Sequence, residues 1–309
     1  MPAGAVIPFW LDRPPGEALE VAATASQLRY PEIWIGEMLH FDAFALAGAV
    51  ATMTERSTIT VGPLAIDLRD PVALAMGVAS IGLLGGRPAR LAIGASSAAV
   101  VQRWHGRPWT GQTTKIEEAV LLIRSVLAGD RTSHDGTYFQ SDGFRAGLGP
   151  QPAHITIAAL GPRMTEMAGR CGDRVVLNLV SASQAAAAVR SVEVPVAVWV
   201  VAGIDPTDDG WNQMRRQLAL YLGVPGYATA MSAAGLADLV EAARAGTPIS
   251  DLARRVTPDH LNSVAAIGSK QDVIDRLALY EEAGAEVMVV PITGGDPGGL
   301  RTLTALANE

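Results

Sequence analysis

The chain has 309 residues, 49% of them hydrophobic and 18% charged, with a net charge of −7. This excludes disorder over most of the length and a small single-core module, and it leaves no basic footprint for nucleic acid. Cys171 is the only cysteine, so no intrachain disulfide forms and a reducing, cytoplasmic setting is expected.

The opening stretch MPAGAVIPFWLDRPPG has no basic residues ahead of its short apolar run, so it does not read as a signal peptide. It holds the first strand candidate, GAVIPFWL (4–11). Ala18, Val21, Ala22 and Ala25 then recur at helical spacing before EIWIG (32–36). The segment DAFALAGAVATMTERS (42–57) fills the gap before TITVGPLAI (58–66), and RLAIGAS (90–96) is the fourth strand candidate.

A long excursion over 97–154 follows. It contains a helical stripe at Ile116, Ala119, Val120, Ile123 and Leu127, and a polar, glycine-rich stretch at 129–154 that reads as loop. Three more strand candidates are ITIAAL (155–160), RVVLNLV (174–180) and VPVAVWVVAG (194–203). A second excursion covers 205–267. The last helix begins at Ser269, with Asp272 three residues on, and presents Val273, Leu277 and Tyr280 before Gly284 ends it. AEVMVVPI (285–292) is the eighth strand candidate.

Most of these strands are continuously apolar, as strands covered on both faces must be. Eight of them alternating with helices predict an α/β chain folded as a (β/α)8 TIM barrel, a single domain over 1–309 with long insertions after strands 4 and 7. An open doubly wound sheet is the alternative that alternation alone leaves standing. No stretch is apolar for long enough to span a membrane.

In a barrel the chemistry gathers at the C-terminal strand ends. Gly161-Pro162-Arg163 ends the fifth strand and opens a helix. It reads either as a tight turn or as an anion site, since helix N-termini present free N–H groups and arginine adds a fork suited to phosphate. Gly62-Pro63 interrupts the third strand, where proline cannot join the ladder and implies a bulge or a break. Gly94-Ala95-Ser96-Ser97 loosely matches a nucleophile elbow, and Asp259 and His260 lie downstream, so a serine hydrolase is carried as a reading from another class. The five histidines, at 40, 105, 134, 154 and 260, show no metal-ligand spacing, so no metal site is expected. Trp10, Trp34 and Trp199 lie within strand candidates and read as barrel filling.

Taken together, the pieces resemble the luciferase-like monooxygenase family, in its actinobacterial branch that uses coenzyme F420. The resemblance rests on WIGEMLHFDAFALAGAVA (34–51), LRDPVALA (68–75), LGGRPARLAIGASS (84–97) and WHGRP (104–108). It continues through IAALGPRMTEMAGRCGDRVVLN (157–178) and GSKQDVIDRLALYEEAGAEVMVVPI (268–292). It implies a (β/α)8 barrel that seats a deazaflavin against a bulge on strand three. Gly62 and Pro63 would form that bulge, and their peptide bond is expected to be cis.

By the same resemblance Gly161, Pro162, Arg163 and Met164 would hold the cofactor phosphate. Ala158 and Ala159 would let the cofactor tail pass, while Gly94, Ser96, Ser97 and Asn178 would lie near ring or tail. Arg69, Arg103 and Arg107 would make a basic groove. The implied activity is an F420-dependent oxidoreductase acting on a small organic substrate, with FMN as the alternative cofactor and a homodimer as the expected assembly. Glu37 and His40 would be the catalytic residues, although relatives often place histidine directly after the acidic residue and here Met38 intervenes.

Overall fold

The structure, a computed structural model, describes residues 2–8, 10 and 12–307. Phe9 and Leu11, part of the first strand candidate, lie outside the described residues. β1 (Gly4–Ile7), α1 (Glu17–Gln27), β2 (Glu32–Ile35), α2 (Ala43–Met53), β3 (Thr58–Ala65), α3 (Pro71–Leu84) and β4 (Arg90–Gly94) come first. The first excursion holds a π-helical stretch over Ala99–Trp104, α4 (Gln112–Leu127) and the strands β5 (Ser133–Asp135) and β6 (Gln140–Asp142). Then follow β7 (Ile155–Ala158), α5 (Pro162–Cys171), β8 (Arg174–Asn178), α6 (Ala182–Ser191) and β9 (Val196–Ile204). The second excursion contributes α7 (Asp208–Tyr221), α8 (Pro225–Met231), α9 (Ala237–Arg244), α10 (Ile249–Arg255), α11 (Pro258–Asn262) and β10 (Ala265–Gly268). The chain closes with α12 (Lys270–Glu282), β11 (Glu286–Pro291) and α13 (Leu300–Ala307).

The strands run in the order β1-β2-β3-β4-β7-β8-β9-β11, and β11 pairs with β1, so the parallel sheet closes on itself. This is the (β/α)8 barrel that the eight apolar runs predict, and the open sheet is ruled out. Closure leaves the eight barrel strands paired on both sides, and the helix ring covers the outer face.

Two readings of the excursions are corrected. The stretch read as loop contains the antiparallel pair β5–β6. The carboxylate of Glu118, on α4, accepts from the Thr137, Tyr138 and Phe139 N–H groups at 2.8–3.1 Å and holds its tip. The second excursion returns a ninth parallel strand: β10 pairs with Val201–Ile204, on the stretch of β9 beyond its pairing with β8. β9 is long enough at nine residues, all buried, to take both partners on one side.

Side chains alternate across each strand. Ala5 and Ile7 of β1 pack outward against the helices, whereas Val6 faces a second core with Trp34, Trp199 and Met288. That inner core continues into the helices of the second excursion through Met214, Leu218, Leu222 and Met231. The excursion therefore roofs part of the barrel mouth.

The opposite end is closed by charge. Glu32 and Arg174, the first residues of β2 and β8, are 4% and 3% exposed and face each other across the barrel. Arg174 donates to both Glu32 carboxylate oxygens, at 2.6 and 2.9 Å, and also reaches Glu286 at 3.1 Å. Arg90 and the Thr60 hydroxyl complete the coordination of Glu32. The Arg174 guanidinium lies 4.8 Å from the centre of the Trp34 ring, which meets Trp199 edge-on at 5.6 Å. An ion pair and two tryptophans thus fill the barrel from the floor upward, as barrel filling at Trp34 and Trp199 requires.

Candidate functional site

The mouth of the barrel is built mainly by small residues. The Gly62-Pro63 bond is cis, as expected, and the register of β3 against β4 shifts between Val61 and Leu64. Gly62 has φ +118°, and a side chain there would collide with the Ala92 carbonyl of β4. A Cβ on Gly94 would stand 3.0 Å from the Ala158 Cβ. Gly62, Pro63, Gly94 and Ala158 therefore lie side by side on β3, β4 and β7, where backbone and small side chains meet. Ala159 is buried, and its N–H donates to the Val176 carbonyl at 3.1 Å.

Next to these residues, Gly161 takes φ +84°, Pro162 occupies the first turn of α5, and no side chain caps the helix. The first-turn amides are closed only from Thr165 onward, which donates to the Gly161 carbonyl at 3.1 Å. Arg163 is exposed, Met164 half-buried. Ser96 is exposed with φ +55°, and the Ser97 hydroxyl accepts from the Val100 N–H at 3.4 Å. The His260 ring accepts from the Thr257 N–H in the cap of α11. Among the described residues no hydrogen bond joins Asp259 or His260 to either serine, so the hydrolase triad is not assembled.

Glu37 and His40 part company. The Glu37 carboxylate is held by both terminal nitrogens of Arg69, one at 2.7 Å, and accepts from the Ala43 N–H at 3.1 Å. Arg69 also pairs with Asp42, which caps α2 through the Phe44 and Ala45 N–H groups. His40 stays exposed on the same loop. Arg69 and Arg107 do line one cavity, of about 380 Å³, together with Lys115 and Tyr138. Its charges are largely neutralised, however, since Lys115 pairs with Asp67 and Arg69 with Glu37 and Asp42. Arg103 is exposed and is not among the residues lining it.

A second, narrower cavity lies inside the mouth, with a free volume of about 30 Å³. Val6, Pro8 and Trp10 line it from β1 and the loop after it, Asn178 and Leu179 from the end of β8, and Trp199, Val201 and Val290 from β9 and β11. Gln217 and Tyr221 of α7 form its roof. Asn178 donates from its amide to the Tyr227 hydroxyl at 3.2 Å, and Tyr227 packs against Tyr221 with ring centres 4.6 Å apart. Burial pushes both phenols above their ordinary range, so both stay protonated at neutral pH. The sequence reading missed these tyrosines. Their one signal is a pair of tyrosines flanking a Gly-Val-Pro-Gly turn (221–227) in a segment that strand counting sets aside.

The sequence model of the luciferase-like monooxygenase family matches residues 3–286. The chain belongs to that family. Among members with assigned names, it is 24% identical to the 5,10-methylenetetrahydromethanopterin reductase of Archaeoglobus fulgidus over 249 residues, 74% of each chain. It is 30% identical to the F420-dependent glucose-6-phosphate dehydrogenase of Beutenbergia cavernae over 174 residues, 52% of this chain and 51% of that one. The solved structure of the coenzyme F420-dependent tetrahydromethanopterin reductase from Methanopyrus kandleri superposes with a TM-score of 0.83 at 18% identity, covering 99% of this chain and 98% of that one. For a luciferase-like chain, the bulge on β3 and the uncapped start of α5 are then the features on which a cofactor reading turns.

Proposed function

We propose that the protein is a coenzyme F420-dependent oxidoreductase, acting as one luciferase-like barrel domain on a small organic substrate. The observation that carries this reading is the bulge at Gly62-Pro63, which sets backbone rather than side chain beside a wall of small residues, Gly94 and Ala158. A flat ring system fits such a wall. Bound there, the deazaflavin supplies the hydride chemistry. Gly161, Pro162, Arg163 and Met164 hold its phosphate, because free amides and the positive end of α5 favour an anion and Arg163 makes no competing ion pair among the described residues. Ala159, Ser96 and Ser97 flank the tail, and Asn178 faces the ring from across the mouth. Glu37 acts on the loop after β2 as the anchor that Arg69 and α2 hold in place, while His40 on the same loop remains free to approach substrate.

Fluorescence titration of cofactor-free protein with F420 and FMN side by side tests this reading. F420 is expected to bind more tightly, and Arg163→Ala to weaken it about 10- to 100-fold, the worth of a charge-assisted hydrogen bond. Tighter binding of FMN would keep the barrel and replace the cofactor. Binding of neither would sink the function.

We also propose a cytoplasmic homodimer. No described helix is long and apolar enough to cross a membrane. α2 and α3 carry no charged residue, yet Met53, Met76, Leu83 and Leu84 are 43–72% exposed on them. A helix apolar all round is normally covered on both sides. Sedimentation velocity is expected to give a dimer for the native chain and a monomer for the double variant Met76→Glu, Leu84→Glu; a native monomer would refute the assembly.

A further inference from the structure

We infer that the narrow cavity roofed by Tyr221 is the seat of the organic reactant, and that it takes an uncharged carbonyl or alcohol compound with an apolar, compact reactive end. This rests on the cofactor reading above, because it places the reactant opposite the wall assigned to the ring.

Position comes first. The bulge lies on β3, and the cavity is lined from β8 through β9 and β11 to β1, with β9 four strands from β3 in either direction round the barrel. The two therefore face each other across the mouth. A ring resting on the bulge would present its free side to the cavity.

Charge comes next. Not one residue lining the cavity is charged. A phosphate or carboxylate buried there would lose its water with no cation to replace it, and an unpaired buried anion is among the costliest groups a protein can hold. The amide nitrogen of Asn178 is already given to Tyr227. The sugar-phosphate class, which one relative's name carries, finds no partner at this end of the mouth.

The polar groups that remain, the Gln217 amide and the Tyr221 hydroxyl of the roof, are both neutral. Tyr221 reaches the cavity from α7, its ring is fixed edge-on against Tyr227, and among the described residues its hydroxyl has no hydrogen-bond partner. A carbonyl or hydroxyl oxygen is the acceptor such a phenol suits. The apolar walls of Val6, Val201 and Val290 leave about 30 Å³, room for the end of a molecule with short alkyl arms. Tyr221 thereby becomes the residue that orients the reactant's oxygen.

Saturation-transfer NMR tests this with 2-butanone and glucose 6-phosphate as probes, each with the full chain alone and with saturating oxidised F420. Saturation is expected to reach butanone and not the sugar phosphate, and Tyr221→Phe is expected to weaken butanone about 3- to 10-fold, the range for one neutral hydrogen bond. The melting temperature of Tyr221→Phe, expected to stay near the native value, separates a lost contact from a collapsed roof. Equal or tighter binding of glucose 6-phosphate would overturn the inference, as would butanone that fails to bind or is indifferent to Tyr221→Phe. F420 binding without butanone binding would sink this assignment alone. Butanone binding without F420 binding would keep the cavity's ligand class and sink the cofactor reading.

Discussion

Replacing Arg174 by methionine while leaving Glu32 in place is expected to cost about 3–5 kcal/mol of stability at neutral pH, measured by urea denaturation. The size of the effect follows from where the pair sits. Both residues are almost fully buried at the barrel floor, and Arg174 satisfies both oxygens of Glu32. Removing the guanidinium leaves a carboxylate in the interior with only Arg90 at 3.1 Å and the Thr60 hydroxyl to support it. It also strips the cation from the face of Trp34. The double variant Glu32→Met, Arg174→Met is expected to recover most of the loss, because two apolar side chains carry no desolvation cost. If the double variant is as unstable as the single one, packing rather than charge holds the floor.

The same pair sets an acid limit. Burial alone would push the Glu32 carboxyl up, but the hydrogen bonds and charge of Arg174, with Thr60 and Arg90, hold it below the usual carboxylate range. A depressed folded-state value means that the contribution is fully present above the ordinary glutamate value of about 4.3 and is lost as pH falls through the folded one. The native chain should therefore lose stability below about pH 4. In Arg174→Met the balance tips to burial, so Glu32 takes up a proton more readily. The gap between native and variant is then expected to narrow as pH falls from 7 towards 4. A gap that stays constant over that range would mean that Glu32 is not the group involved.

The strand ends explain why some of this was legible in the sequence and some was not. Eight runs of apolar residues each had to be covered on both faces, and that requirement fixes a parallel α/β sheet, whose closure shows only in the pairing of β11 with β1. Glu32 and Arg174 were also visible, as charged residues opening EIWI and RVVLN, but their meeting depends on closure, which brings together residues 142 positions apart. The hairpin at 133–142 was missed because its strands are short and polar, and its tip is held by Glu118 rather than by an apolar face. β10 escaped because four apolar residues after a run of helices do not stand out until β9 offers an edge. At the mouth, Gly62-Pro63 announced itself through the one residue that cannot join a ladder. The ion pair of Glu37 with Arg69 spans 32 positions and carries no local signal. Tyr221 and Tyr227 lie in an insertion whose path over the barrel depends on packing, not on periodicity.

Gly62→Ala is expected to have the largest effect at the mouth: a stability loss of about 2–4 kcal/mol and F420 affinity reduced at least about tenfold. Two costs combine. At φ +118° an L side chain is strained wherever it points. The added methyl would in addition run into the Ala92 carbonyl on β4, with the Leu64 N–H only 2.8 Å away. Backbone on both sides cannot swing aside as a side chain would, so β3 must shift against β4 and flatten the bulge. Gly94→Ala offers the contrast, since its new methyl is crowded only by the Ala158 Cβ, at 3.0 Å, with the Ala158 carbonyl and Pro63 at ordinary contact distance, and relief needs a few tenths of an ångström. That variant should lose F420 affinity with little change in urea midpoint, because it fills the wall without moving a strand. Should Gly62→Ala instead bind F420 as the native chain does, the bulge has no part in holding the ring and the wall of Gly94 and Ala158 must be reassigned. Should both variants lose stability equally, the small residues serve packing between β3, β4 and β7 and not a ligand.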